Sequence, residues 1–145
     1  NVLALIEEYR NGKEPGEKAK EAGFTSYVNG STYDAYNPTY YLSPFGNGKE
    51  CAKFAFAFWD DIFGADTPFR EVTNPADVRP GDLIRTPTHW AIATMHAFDY
   101  EGRGPHTQKV GGGSAGVIGW PSGGYSPLPT PNGENRAYYT RYPLP

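Results

Sequence analysis

The sequence is short of the residues that mark several specialised classes. One cysteine, Cys51, stands among 145 residues, which excludes an internal disulfide and any cysteine-rich zinc site. Lys and Arg number 13 against 16 Asp and Glu, without a basic cluster, and that balance argues against a nucleic-acid surface. No run of 18 or more apolar residues occurs, so no membrane span is expected. The three histidines, His89, His96 and His106, lack the spacing of metal ligands, so neither a metal nor another cofactor is expected. Leu, Ile, Val and Phe together supply only 25 residues, a level common in disordered chains.

Against these shortages stand 11 Tyr, 8 Phe and 3 Trp. Each ring buries a large area, so aromatics can supply the core that the missing aliphatics do not. The 18 Gly and 14 Pro point to a loop-rich chain. The length suits one domain over residues 1–145, with an N-terminal helical segment (1–23) and a core (24–145). The chain begins at Asn1 without Met, from which a removed leader or upstream region is expected.

Val2 to Arg10 sets Leu3, Leu5 and Ile6 against Glu7, Glu8 and Arg10, a short amphipathic helix stopped by Asn11-Gly12. A polar helical turn follows over 16–22 and stops at Gly23. From Phe24 to Phe45 tyrosines alternate with turn formers, an irregular segment suited to facing a substrate. Gly46-Asn47-Gly48 reads as a turn feeding a helix of about 12 residues that ends at Gly64. Phe54, Phe56, Phe58 and Trp59 with three alanines leave this helix almost no polar face before Asp60-Asp61, so it is a buried helix. A connector (65–77) leads to the turn Pro80-Gly81-Asp82 and a strand from Leu83. Residues 89–100 read as a long strand with His89, Ala91, Ala93 and Met95 on one face and Trp90, Ile92 and Thr94 on the other. Gly111-Gly112-Gly113 and a Pro-rich loop (121–131) precede a closing strand over 137–142.

Cys51 falls in the first turn of the buried helix. There the helix dipole and free N–H groups favour a thiolate, and the preceding glycines leave room for a substrate. A histidine, His89, heads a strand further on and can act as its base. Cysteine then histidine, on helix then strand, is the arrangement of cysteine hydrolases that act by acyl transfer.

Three segments, in order, resemble a family. Cys51-Ala52-Lys53-Phe54-Ala55, Arg79-Pro80-Gly81-Asp82-Leu83-Ile84 and His89-Trp90-Ala91-Ile92-Ala93 are similar to the C-x-x-F-[VA], x-P-G-D-[LI] and H-[VSW]-[AG]-I motifs of papain-like domains. The families are the NlpC-type and CHAP (cysteine/histidine-dependent amidohydrolase/peptidase) domains. Tyr139-Thr140-Arg141-Tyr142-Pro143 also resembles the closing strand of related surface-protein domains in Gram-positive gut bacteria. The likeness spans residues 40–143. It implies an α+β fold with the cysteine helix packed on a small antiparallel sheet, and an extracellular or wall-associated protein. It makes Cys51 the nucleophile and His89 the general base and later acid, with a peptidoglycan peptide, or its amide link to sugar, as substrate.

The resemblance also implies a polar residue on the following strand to orient the histidine. Ile118-Gly119-Trp120 aligns with the pattern, but Gly111-Gly112-Gly113 stands where a Glu-Gly-Asn-like stretch belongs. His106, or after it Gln108, is the substitute with compatible parity. Oxyanion stabilisation is expected from the Cys51 N–H and a tyrosine ten to twelve residues upstream, Tyr41 in preference to Tyr40. Two other readings use the same residues: an acyl-transferring, transpeptidase-like enzyme, and a catalytically inactive wall-binding module.

Overall fold

The computed structural model describes residues 1–27, 34–35, 37–74, 77–85, 90–93, 106–108, 125–127 and 137–144, the two short stretches 106–108 and 125–127 as backbone only. Helix α1, Val2–Arg10, begins where the Asn1 side chain accepts the Ala4 N–H at 3.2 Å. It ends at Asn11, before Gly12 takes φ +104°, a conformation that suits glycine. Helix α2 is a single turn, Glu17–Glu21.

Strands β1, Tyr41–Ser43, and β2, Gly46–Gly48, form an antiparallel hairpin with Tyr41 opposite Gly48. Gly46-Asn47-Gly48 is therefore a strand arm, not the turn expected from its composition. The turn lies one step earlier, at Pro44-Phe45, where proline fixes its own φ. Ser43 holds it: its Oγ accepts the Phe45 N–H and donates to the Gly46 carbonyl, both at 3.0 Å.

Helix α3, Glu50–Phe63, follows at once and ends as expected at Gly64, which adopts φ +97°. Eight consecutive residues, 53 to 60, are buried, so every face of its middle turns is covered. Two aromatic groups do this. Phe54 and Phe58, one turn apart, meet Tyr9, Phe24 and Tyr27, with Tyr27 and Phe58 centroids 4.9 Å apart. On the other side Phe45, from the hairpin turn, lies within 6 Å of the rings of Phe56, Phe69, Trp90 and Tyr139. Rings this close add to their area burial, which is how a chain poor in Leu, Ile and Val holds a core.

The second group rests on a four-stranded antiparallel sheet. It comprises β3 (Arg70–Glu71), β4 (Leu83–Arg85), β5 (Trp90–Ile92) and the last strand, Ala137–Thr140, in the order β3–last–β4–β5. Leu83 pairs with both Ile92 and Tyr139, fixing three strands in one register. The connector expected over 65–77 thus contains a two-residue edge strand. Between β5 and the last strand, β6 (His106–Gln108) and β7 (Tyr125–Pro127) pair antiparallel as a separate ribbon. The last strand is accordingly β8. Helices plus small antiparallel sheets make this an α+β chain. Residues 94–100, the three-glycine run, most of the Pro-rich loop and Ile118-Gly119-Trp120 lie outside the described residues. No helix among the described residues is long and apolar enough to cross a membrane.

A buried ion group ties the ends of the chain to α3. Asp60 receives the Arg141 guanidinium at 2.6 Å, the Tyr41 hydroxyl at 2.5 Å and the Lys18 ammonium at 3.1 Å. Arg141 also donates to the carbonyls of Thr67 and Ala65 and stacks 4.0 Å from the Trp59 ring. With each guanidinium nitrogen hydrogen-bonded, the pair avoids the penalty of an unsatisfied buried charge.

Candidate functional site

The hairpin delivers the chain to the start of α3 under tight constraint. Gly48 lies so close to the helix that a Cβ there would sit 2.7 Å from Phe56 Cδ2 and 3.0 Å from the Lys53 nitrogen. Lys49 is extended, and Glu50 then takes φ +55°. A left-handed residue other than glycine costs on the order of 1–3 kcal/mol and persists only where its surroundings hold it. Here the Glu50 N–H donates to the Ala35 carbonyl at 3.1 Å. Cys51, the next residue, is half-buried at the rim of the core. The Ala52 and Lys53 N–H groups both turn to the Lys49 carbonyl, whereas the Cys51 N–H has no partner among the described residues.

The two tyrosines upstream of Cys51 divide between surface and core. Tyr40 is 51% exposed, with the Lys49 ammonium 4.6 Å from its ring centroid. Its hydroxyl bond and charge raise the Lys49 pKa. Tyr41 is only 2% exposed, and its hydroxyl is held by Asp60. Burial, with that hydrogen bond, pushes the Tyr41 pKa far above the ordinary phenol value. The pleat of β1 is the reason: Tyr41 points inward while Leu42, 62% exposed, points out. Tyr41, the tyrosine preferred from the sequence for the oxyanion, therefore has its hydroxyl on Asp60 inside the core. It is a core residue, and Tyr40 is the tyrosine that borders solvent.

His89 and His96 lie outside the described residues. Trp90, next to His89 in sequence, starts β5 opposite Arg85 and sets its ring edge-on to Phe56 at 4.8 Å. Phe56 is five residues beyond Cys51, about 7.5 Å along the helix, so β5 runs beside the cysteine helix. The Pro80-Gly81-Asp82 turn joins the same strand: Gly81 donates to the Ala93 carbonyl at 2.7 Å and Ala93 to the Asp82 carbonyl at 2.9 Å. His106 and Gln108 occupy the two ends of β6, in register with Pro127 and Tyr125. No group of three or more His, Cys, Asp or Glu side chains among the described residues is placed to hold a metal ion.

Three buried polar groups escaped sequence reasoning. Asp60 and its partner Arg141 are one pair, signalled only by an aspartate placed beside Trp59 in an otherwise apolar helix. Lys53, a residue of the cysteine motif, is 0% exposed. Asp82 is 1% exposed; one carboxylate oxygen accepts the Arg79 N–H at 2.7 Å while the other has no hydrogen-bond partner. Burial raises the Asp82 pKa to about 6 against a hydrogen bond from Thr140 and the charges of Arg79 and Arg70.

Compared with protein-family models, with curated proteins and with solved structures, the chain matched none.

Proposed function

We propose that this chain is a cysteine hydrolase of amide bonds with a papain-like, NlpC/CHAP-type fold. Cys51 attacks the carbonyl carbon and His89 takes its proton. The amine leaves with that proton, and water, activated by His89, then releases the acyl group from sulfur. The observation that carries this reading is the setting of Cys51. It is a half-buried thiol on the second residue of a core helix, after a left-handed residue, with an adjoining backbone N–H unpaired among the described residues. Such an N–H is a donor available to the developing oxyanion. Packing of α3 against β5, the strand that begins one residue after His89, supports the pairing. Tyr40, half exposed beside Lys49, borders the same helix end and is surface available to a substrate. His106, or Gln108, orients His89 in this reading. The substrate is a peptide amide of peptidoglycan or its link to sugar, and the protein acts outside the cell or at the wall.

The test is release of soluble products from purified cell-wall sacculi by wild type, Cys51→Ala and His89→Ala. Loss of release to background in both variants is expected. Equal release by wild type and Cys51→Ala would sink the hydrolase. Binding of sacculi without release in any of the three would favour the inactive wall-binding module, for which the three glycines at 111–113 also speak. New amide products formed only when an added amine is present would mark acyl transfer.

A further inference from the structure

Lys53 is fully buried in the first turn of α3, and its Nζ lies 2.7 Å from the Asn37 side-chain oxygen. Among the described residues it forms no ion pair with a carboxylate. A buried ammonium without a counter-ion is costly, and the group escapes that cost by giving up its proton. Burial does lower the Lys53 pKa, with the Asp34 charge opposing. The unprotonated form that this shift favours is a nucleophile, and what Lys53 touches is a carboxamide.

The carboxamide is fixed within reach of the amine, which a small rotation of the lysine side chain carries from the oxygen onto the carbon. A carbonyl bond is about 1.2 Å long, so an Nζ–oxygen distance of 2.7 Å leaves the amine no more than about 3.9 Å from Asn37 Cγ. The same oxygen accepts the Thr39 N–H at 2.9 Å, a donor placed to stabilise an oxyanion. The amide nitrogen donates to the Ala22 carbonyl at 3.3 Å. It fits only because residue 23 is glycine: a Cβ there would stand 1.9 Å from Asn37 Nδ2.

We propose that Lys53 and Asn37 form an intramolecular isopeptide bond. The Lys53 Nζ adds to Asn37 Cγ, giving a tetrahedral centre whose oxyanion faces the Thr39 N–H. One proton passes from Nζ to Nδ2, the Cγ–Nδ2 bond breaks, and ammonia leaves. The product is a secondary amide that ties the segment before β1 to the first turn of α3. No oxidant, reductant or external reagent is needed, and the step is independent of Cys51.

Mass spectrometry of the purified, denatured full chain tests this. The intact mass is expected to fall short of the sequence mass by one ammonia. A tryptic digest should then contain residues 21–49 joined to residues 50–70, because trypsin does not cleave after an acylated Lys53. Asn37→Ala and Lys53→Met should both return to the full sequence mass. An intact mass equal to the sequence mass, with free peptides 50–53 and 54–70 in the digest, would overturn the proposal. The wild-type measurement decides it even if neither variant folds.

Discussion

Replacing Asp82 by Asn should flatten the acid side of the stability profile. Asp82 is 1% exposed, holds the Pro80-Gly81-Asp82 turn through the Arg79 N–H, and has a pKa of about 6 against an ordinary 3.8. Below about pH 4 the carboxyl is protonated in the folded and the unfolded chain alike, and contributes nothing to the pH dependence. Between about pH 4 and 6 the unfolded chain releases its proton while the folded chain keeps it, so stability falls as pH rises. Above 6 both are ionised and the loss is complete. Roughly two pH units between the two titrations, at 1.36 kcal/mol each, amount to about 3 kcal/mol. Asparagine keeps the shape and an oxygen for the Arg79 N–H but does not titrate. Urea unfolding of wild type and Asp82→Asn from pH 4 to 7 therefore measures the effect as a difference, in which the other titrating groups cancel. The variant should gain about 3 kcal/mol on wild type over this range. Parallel profiles would refute the reasoning. A wild type that gained on the variant with rising pH would show that Arg79 and Arg70 outweigh burial.

Two further outcomes follow from packing. Arg141→Ala leaves the Asp60 carboxylate buried with Tyr41 and Lys18 as its remaining partners. The expected loss is about 3–5 kcal/mol, read as a fall in Tm of about 10 °C or more; an unchanged Tm would show the pair to be dispensable. Gly48→Ala pushes a methyl onto Phe56 and the α3 backbone and should cost about 1–3 kcal/mol in chemical denaturation. A neutral result there would mean that the hairpin can lift off the helix.

Much of the frame was legible because the signals were long or sharply punctuated. Helix α1 ends at the Asn-Gly pair, and α3 ends at Gly64, where the apolar pattern stops. The absence of a polar face on α3 led correctly to burial on all sides, and Cys51 falls in its first turn as read. The hairpin β1–β2 was not legible, because three-residue strands leave too short an alternation to separate from loop. Strand β3, with two residues, has none at all. The choice between Tyr40 and Tyr41 was equally out of reach. Their order relative to the pleat, and the carboxylate of Asp60 that fixes it, exist only once α3 has docked. Lys53 stood out in the sequence only as part of the cysteine motif, since nothing local distinguishes a lysine that snorkels to solvent from one sealed against Asn37.

The seat of Asp60 also sets when this chain can finish folding. Its ligands come from residues 18, 41 and 141, so the carboxylate is satisfied only when segments from both extremes of the sequence have met. On a ribosome, α3 emerges long before Arg141 does. Until then its aromatic flank towards β8 is uncovered and Asp60 lacks its buried cation, in a nascent chain prone to association. Closure of a loop spanning residues 60 to 141 is a slow, non-local step. Emergence of Arg141, more than growth of the helices, therefore marks the moment at which the core is sealed.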